Sequence, residues 1–470
     1  MSASSIETST WIGELRERLA GRLILPGDSD YDVMRMVMLG NIDHRPAAIA
    51  RVTNAADVAA VVGVAREQGL EIAVRSGGHD GAGHSSTEGG IVIDLREMKA
   101  IEIDPVARTA WAETGLTAAE VTNAAAEHDL VIGFGDTGSV GIGGITVGGG
   151  IGYLVRKHGM TIDNVLAAEI VTADGQLRRV NADTEPDLFW AIRGGGGNFG
   201  VVTRFLYQLH PAESFVGGIL VLPATADTVA GFLAAAAAAP EELSTIANVM
   251  DSPPMPFVPE DWHGKPVILA MLGHTGDETA GVAAMKPFQA LATPIADLLK
   301  PMPYPEMFQE EPAPEGGEAA EPYRPMVVEH PMFMSSVSRD AAQAMVDAIA
   351  ASDAPLKAVQ LRALGGAMAR VPEDATAFAH RQAKVMVQVV SFYVGEDDLP
   401  KRESWVRSLV AAIGDGTPGA YVNFLGGAGA ESDRVRDAYP PETWDRLAAV
   451  KARYDPANLF HRNQNITPAD

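Results

Sequence analysis

The chain has 470 residues, of which 47% are hydrophobic and 21% charged, and its formal net charge at pH 7 is −25. This length exceeds the usual size of one hydrophobic core and predicts two domains in a soluble globular protein. The acidic balance disfavours nucleic acid or an anionic membrane as a partner, and the absence of cysteine excludes disulfides, thiolate metal sites and cysteine nucleophiles.

The N-terminal segment does not resemble an export signal. Residues 1–22 carry Glu and Arg among their apolar residues and lack a continuous apolar core. No apolar run elsewhere reaches the roughly 18 residues that are needed to cross a bilayer. We therefore expect a cytoplasmic protein without membrane attachment, as a monomer or a homodimer.

The first half of the chain alternates short β-branched runs with helical windows. Two segments in it, 133–152 and 194–200, are so dense in glycine that they predict loops with closely approached backbone. The remaining pattern predicts helices at 54–69 and 117–128 and strands at 47–52, 72–74, 91–95, 100–103, 109–112, 168–172, 177–180 and 201–209.

The composition changes after residue 211, where Ala-rich helical windows alternate with fewer strand-like runs. This pattern predicts an α+β module with an antiparallel sheet. Segment 301–331 is rich in Pro and Glu and predicts an irregular surface loop or lid, with disorder as the alternative. A helix beginning near residue 444 and a polar tail close the chain. The helices of the module are predicted at 225–239, 279–291, 339–351 and 401–413, and its strands at 267–270 and 385–392.

Three glycine-rich segments of the first half suggest one large ligand. Residues 75–80, Arg-Ser-Gly-Gly-His-Asp, follow a strand, and their two glycines can turn backbone N–H groups toward a pyrophosphate, although such a turn by itself is more often a plain structural turn. Residues 141–152 fail the dinucleotide fingerprint because Thr146 stands where the third Gly belongs. Glycine there and at 194–200 instead allows bare backbone to lie against a flat, extended ligand.

Two other site classes are disfavoured by spacing. Residues 138–141, Gly-Ser-Val-Gly, do not form the G-x-S-x-G elbow of a serine hydrolase. The eleven histidines are scattered, and His79 and His84, five residues apart in a Gly-rich loop, do not have metal-ligand spacing. We therefore expect no metal site.

Taken together, these segments closely resemble the berberine-bridge-enzyme-like branch of the vanillyl-alcohol-oxidase flavoproteins, nearly end to end and with bacterial members nearest in spacing and length. Residues 75–79 are similar to the loop in which a His is joined to the 8α-methyl of the flavin. Residues 140–165 resemble the family's second loop, and 187–203 its most specific block. Residues 421–424 and 454–466 resemble the C-terminal return that closes on the flavin.

The resemblance implies the cofactor, FAD, and the domain plan. An FAD-binding domain of the two-subdomain (PCMH) type would comprise residues 1–212 and 425–470. A substrate-binding domain, residues 213–424, would be inserted between them, with an antiparallel sheet flanked by helices. The overall class is α+β.

The resemblance also implies cofactor contacts and two departures. Many members attach the flavin a second time through a Cys at the position of Thr137, so we expect a single bond, at His79. Several use a Tyr base where this chain has Phe424. The implied FAD contacts are His79, Arg75, Ser76, Gly77, Gly78, Asp80, Thr137, Val140, Gly141, Gly143, Gly144, Gly149, Gly152, Asn198, Gly200, Val201, Tyr421, Asn423, Asn463 and Asn465.

Flavin chemistry narrows the expected reaction. A flavin takes a hydride at N5, and an alcohol needs a base for its hydroxyl proton whereas a neutral amine does not. With Phe424 replacing the Tyr base, we expect amines or activated phenolic and polyketide-like substrates ahead of alcohols, and Tyr421, Gln388 and His380 as candidate catalytic residues. O2 is the expected acceptor, giving H2O2. A dehydrogenase using another acceptor, a sugar or oligosaccharide oxidase, and a flavin-free binding protein are the alternatives.

Overall fold

The structure is a computed structural model that describes residues 3–308, 324–426 and 434–469, with side chains from residue 11 onward. The α+β class is as predicted. Within these ranges, no helix combines the length and apolarity required for a membrane span.

The N-terminal part contains a four-stranded sheet in the order β1-β2-β4-β3, in which β2, β4 and β3 are parallel. The predicted helix at 54–69 is present because Asn54 accepts the Asp57 N–H at its start and Gly69, at φ 65°, ends it. The elements are α1 (Ala3–Arg18), β1 (Arg22–Ile24), α2 (Tyr31–Arg35), β2 (Ala48–Arg51), α3 (Ala55–Gln68), β3 (Ile72–Arg75) and β4 (Ile91–Asp94).

An antiparallel sheet of five strands follows, in the order β5-β6-β10-β8-β9, beside the short pair β7 and β11. The expectation of an unbroken loop over 133–152 is wrong, because helix α5 lies within it. The elements are β5 (Ile101–Asp104), β6 (Thr109–Glu113), α4 (Ala118–Ala126), β7 (Leu130–Val131), α5 (Ile142–Gly148), α6 (Val155–His158), β8 (Val165–Val171), β9 (Leu177–Asn181), α7 (Pro186–Ala191), β10 (Val201–Gln208) and β11 (His210–Pro211).

The third region is a large antiparallel sheet in the order β15-β12-β14-β13-β18-β19-β17, with β16 also paired to β12. Helices α8, α9, α10 and α12 share one apolar core with one face of this sheet. Its elements are β12 (Phe215–Pro223), α8 (Ala226–Ala238), β13 (Leu243–Asp251), β14 (Pro266–Thr275), α9 (Glu278–Gln289), β15 (Ala296–Asp297), β16 (Lys300–Pro301), β17 (Met326–Met334), α10 (Arg339–Ala351), β18 (Lys357–Ala363), α11 (Ala367–Arg370), β19 (Val385–Tyr393) and α12 (Leu399–Ile413).

Several strands of this sheet were not predicted. Strands β12, β13 and β18 are almost wholly buried, so their sequences lack the alternation that marks a half-exposed strand. The predicted irregular segment at 301–331 is wrong at its end, where β17 pairs with β19 along its full length. Residues 309–323 of that segment lie outside the described residues.

The C-terminal return packs against the second sheet and the N-terminal part. Its helices are α13 (Val435–Ala438) and α14 (Pro441–Tyr454). Leu447 and Val450 of α14 join the core that also holds Phe199, and Phe460 enters the core of the four-stranded sheet. The tail after α14 therefore runs beside the glycine-rich segment that ends at residue 200.

Candidate functional site

A cavity of about 430 Å³ lies where the loops of the first half meet the large sheet. One side, which we call the loop wall, is formed by residues 76–80, 135–144, 196–201 and 463–464. The other side, which we call the sheet wall, is formed by side chains of β17, β18 and β19. The predicted site residues that line this cavity are Ser76, Gly77, Gly78, His79, Asp80, Thr137, Val140, Gly141, Gly143, Gly144, Gly200, Val201, Gln388, Tyr421, Asn423 and Asn463.

Arg75 does not line the cavity, although the sequence places it beside the predicted cofactor loop. Successive side chains of β3 point to opposite faces, and Val74 and Ser76 take the cavity side. The buried Arg75 guanidinium donates to the carbonyl oxygens of Met34 (2.5 Å) and Ser85 (3.1 Å), and burial lowers its pKa to about 10. Arg75 therefore stabilises the loop that carries His79 from the side of β3 that faces away from the cavity.

The first two glycine-rich loops are in direct backbone contact. A Cβ on Gly77 would lie 2.3 Å from the Gly141 nitrogen, and a Cβ on Gly141 would lie 2.1 Å from Ser76 Oγ. Ser76 Oγ donates to the Thr114 carbonyl (2.5 Å) and accepts the Gly143 N–H (3.2 Å). Glycine at these positions permits helix α5 to start against the loop that carries His79.

Other glycines of the loop wall face open space. No heavy atom lies within 4 Å of a Cβ built on Gly144, and the nearest atoms to such positions on Gly196 and Gly197 are 3.7 Å and 4.0 Å away. Bare main chain therefore faces the cavity at three points. Two residues that line the cavity, Ser85 and Asn463, have a buried side-chain oxygen without a hydrogen-bond partner among the described residues. These features fit a flat, polar cofactor such as FAD.

The two positions relevant to flavin attachment, His79 and Thr137, both line the cavity. Beside His79, the Asp80 carboxylate accepts the His84 N–H at 2.9 Å, which closes the loop on itself. Gly78 adopts φ 77°, the left-handed conformation that glycine accommodates without strain.

Asn198 and Asn465 lie outside the cavity lining. The buried Asn198 amide donates to the Gly195 and Gln464 carbonyls, at 2.9 Å and 3.1 Å, and its Oδ1 accepts the Ile466 N–H at 2.9 Å. Asn198 thereby fastens the tail that presents Asn463 and Gln464 to the cavity.

A buried lysine holds the same tail. Lys451, fully buried in α14, donates to the carbonyl oxygens of Asn198 (2.6 Å) and Phe460 (2.8 Å) and to the Asp455 carboxylate (2.8 Å). Asp455 in turn accepts the Leu459 and Phe460 N–H groups. No feature of the sequence pattern marked this lysine.

Gly149 and Gly152 act behind the cavity, where they allow close packing. A Cβ on Gly152 would lie 2.2 Å from the Gly135 carbonyl oxygen, and one on Gly149 would lie 3.2 Å from the Tyr421 hydroxyl. That hydroxyl accepts the Gly150 N–H at 2.8 Å and the Asn423 amide at 3.0 Å. Burial raises the pKa of Tyr421, so its phenol keeps its proton at pH 7.

The other two candidate catalytic residues have different surroundings. Gln388 lines the cavity and donates its amide to the Glu329 carboxylate. His380 does not line it: its ring packs near Phe333 and Phe378, and Nε2 lies 3.0 Å from the Ala438 carbonyl. The expectation that His380 contacts substrate is therefore corrected to a structural role.

The sheet wall contains residues that sequence reasoning missed: Glu329, Gln360 and Arg362. Arg362 donates to Asp136 Oδ2 (2.8 Å), Gln360 Oε1 (2.9 Å) and the Ile151 carbonyl (2.8 Å). Its guanidinium lies 5.2 Å from the Phe424 ring centroid. The available signal was the presence of polar residues inside apolar strand runs, Gln360 and Arg362 in β18 and Glu329 in β17.

A metal centre finds no support in the geometry. Across 3–308, 324–426 and 434–469, no group of three or more His, Asp or Glu side chains is placed to hold a metal ion.

Comparison with known proteins supports a flavin site. Residues 46–181 match the family model described as FAD binding domain, and 420–467 match the model described as berberine and berberine like. The chain is 31% identical to (R)-6-hydroxynicotine oxidase of Paenarthrobacter nicotinovorans, over 96% of this chain and 97% of that protein. It is 28% identical to an FAD-linked oxidoreductase of Dictyostelium discoideum, over 97% of each.

Solved structures show the same architecture. The crystal structure of 6-hydroxy-D-nicotine oxidase from Arthrobacter nicotinovorans superposes with a TM-score of 0.82 at 28% identity, covering 96% of this chain and 98% of that one. BBE-like 1 of Physcomitrella patens superposes with a TM-score of 0.84 at 22% identity, covering 98% and 99%. The α+β fold with a large antiparallel substrate sheet is thereby confirmed.

Proposed function

We propose a specific activity for this chain, which belongs to the berberine-bridge-enzyme-like family of FAD-linked oxidoreductases. In this activity the protein oxidises a small nitrogen-containing organic substrate, FAD is held by one covalent bond at His79, and O2 is reduced to H2O2. The observation that carries the proposal is the convergence of His79 with the open glycines Gly144, Gly196 and Gly197 in one cavity.

The single attachment follows from the side chains available at the loop wall. His79 and Thr137 both line the cavity, and the chain contains no cysteine. A threonine hydroxyl is not the thiolate nucleophile that forms a thioether. The imidazole of His79 is therefore the one attachment point that we propose.

The preference for a nitrogen substrate rests on two positions of the cavity, Tyr421 and Phe424, from which a phenolic base would act. When bound, the flavin supplies a hydride acceptor. Tyr421 keeps its proton, and Phe424 offers no acid–base group, so neither removes a hydroxyl proton from an alcohol. An amine with a free lone pair needs no such base. The compound in the name of the relative from Paenarthrobacter nicotinovorans, (R)-6-hydroxynicotine, is consistent with this class.

Acid denaturation of the purified protein tests the attachment. We expect the wild-type pellet to retain yellow colour and a fluorescent band on a denaturing gel, because a covalent bond survives loss of the fold. His79→Ala should release its flavin to the supernatant or contain none, while Thr137→Ser should retain the bound colour. Flavin found wholly in the wild-type supernatant contradicts the covalent assignment.

Reoxidation of the reduced protein tests the acceptor. After anaerobic reduction with dithionite and stopped-flow mixing with air-saturated buffer, an oxidase regains its absorbance near 450 nm within seconds and yields one H2O2 per flavin. A reduced flavin that persists for minutes in air contradicts the oxidase assignment and supports the dehydrogenase alternative.

A further inference from the structure

Three amide side chains form a continuous row across the large sheet. Asn248 of β13 is directly opposite Gln360 of β18, which is directly opposite Gln388 of β19. The strand neighbours of these amides, such as Val249, Val359 and Val387, belong to the helix-covered core. Because successive side chains alternate between faces, the amides lie on the face opposite the helices, toward the loop wall.

Hydrogen bonds fix the direction of each amide in this row. Gln360 donates to Asn248 Oδ1 at 3.2 Å, and its own Oε1 accepts from Arg362. Arg362 is in turn bound to Asp136 Oδ2 at 2.8 Å. The hydrogen-bonding groups of Asn248 and Gln360 described above, at this end of the row, are therefore already used within the protein.

The other end of the row has a carboxylate. Glu329 of β17 lines the cavity and accepts the Gln388 amide. Glu329 Oε1 also lies 2.1 Å from a Cβ position built on Gly81 and 2.4 Å from one built on Gly426, so the carboxylate is packed against the segment that follows His79. One N–H of Gln388 is engaged by Glu329, and the side chain can present its carbonyl oxygen Oε1 to a ligand as an acceptor beside its second N–H.

We propose that Glu329 and Gln388 form a subsite for a protonated primary or secondary amine, which donates one N–H to the Glu329 carboxylate and a second N–H to Gln388 Oε1. Transfer of the first proton to the carboxylate then leaves the neutral amine whose lone pair the proposed oxidation requires. This inference rests on the proposed function and names the substrate class of the same cavity. Two acceptors of this kind, one charged, match an ammonium group and offer nothing to an anionic substrate. The formal charge of −25 also attracts a cation to the protein from a distance.

Calorimetric titration of the flavin-loaded protein at pH 7 tests the subsite. The probes are 4-phenylpiperidine and 2-phenylpyrrolidine, each beside its N-methyl derivative and its ether analogue. We expect at least one secondary amine to bind about tenfold more tightly than its ether, because charged hydrogen bonds exceed neutral ones. The N-methyl derivative should bind several-fold more weakly than its parent, since it has lost one of two N–H donors.

Variants assign that preference to the two residues. Glu329→Gln keeps the shape but removes the charge, and should reduce the amine-over-ether ratio about tenfold. Gln388→Leu should abolish the distinction between secondary and N-methyl amines while part of the preference for cations remains. The matched control is Glu102→Gln, an exposed carboxylate on β5 that lies outside the cavity lining and should change neither ratio.

The outcomes separate this inference from the proposed function. Flavin content and thermal midpoint are measured first on every variant. Protein that holds flavin yet shows no amine preference in any probe set, or a preference that survives Glu329→Gln, overturns the subsite alone. Protein without covalent flavin contradicts the proposed attachment, while the calorimetric ratios still report on the subsite.

Discussion

The loop wall and the sheet wall enclose the same cavity but are built from different chemical groups. The loop wall is largely main chain, with glycines that either contact another loop, as Gly77 contacts Gly141, or face open space, as Gly144 does. The sheet wall consists of polar side chains that bind one another, such as Arg362 with Gln360. A wall of main chain changes little when side chains are substituted, whereas a wall of side chains changes with each one. The difference suggests that the first fixes the cofactor and the second the substrate.

Substitution of two loop-wall glycines should have the largest effects and most directly tests the role of the loop wall in binding the cofactor. Gly141→Ala would place its Cβ 2.1 Å from Ser76 Oγ and close to the Gly77 nitrogen, so we expect little or no folded, flavin-containing protein. Gly144→Ala meets no atom within 4 Å and lies inside α5, where alanine favours the helix by roughly 0.5–1 kcal/mol. Gly144→Ala should therefore fold normally and lose flavin, because its methyl group enters the cavity.

Thermal unfolding and the ratio of 450 nm to 280 nm absorbance measure the two effects separately. The comparison fails if Gly144→Ala keeps full flavin content, since the open backbone would then not be in contact with the cofactor. It fails equally if Gly141→Ala has the wild-type thermal midpoint, since the contact between loops would then not be needed for the fold.

The same difference explains which parts of the site could be predicted from the sequence. The loop wall is formed by contiguous motifs, so the family resemblance of those motifs could imply His79, Thr137 and Gly144 as contacts of one cofactor, and all three line one cavity. The sheet wall depends on the register of β17, β18 and β19, which pairs Gln388 with both Pro331 and Gln360, and no local pattern encodes that pairing.

The errors within the loop wall have a related cause. A motif gives the order of residues but not the face on which each side chain lies. Arg75 was expected at the cofactor because it belongs to the motif 75–79 that resembles the family's cofactor loop, yet alternation along β3 directs it to the opposite side. Asn198 lies between glycines of the loop wall, but its side-chain amide is hydrogen-bonded to the main chain of residues 195, 464 and 466. Both residues stabilise the wall from outside the cavity.

Lys451→Met should have a smaller effect than the glycine substitutions, and it tests the difference between the loop wall and the sheet wall a second time. The substitution leaves the Asp455 carboxylate buried without its cation and leaves the Asn198 and Phe460 carbonyls without a donor. Breaking one partner of a buried ion pair costs about 3–5 kcal/mol, so the free energy of unfolding in urea should fall by that amount. Lys401→Met, which removes a lysine that is 59% exposed and paired with Asp353, should change it by less than about 1 kcal/mol.

Flavin occupancy and the ratio of amine to ether binding, both measured on Lys451→Met, distinguish the two walls. Lys451 holds the tail that carries Asn463 and Gln464, and its hydrogen bonds within the described part of the chain go to Asn198, Asp455 and Phe460, outside the large sheet. In the protein that remains folded, flavin occupancy should therefore decline while the ratio of amine to ether binding is preserved. A Lys451→Met protein with full flavin content and an altered ratio of amine to ether binding would mean that the tail positions the substrate. The tail would then belong to the substrate-binding side of the cavity and not to the cofactor-binding side.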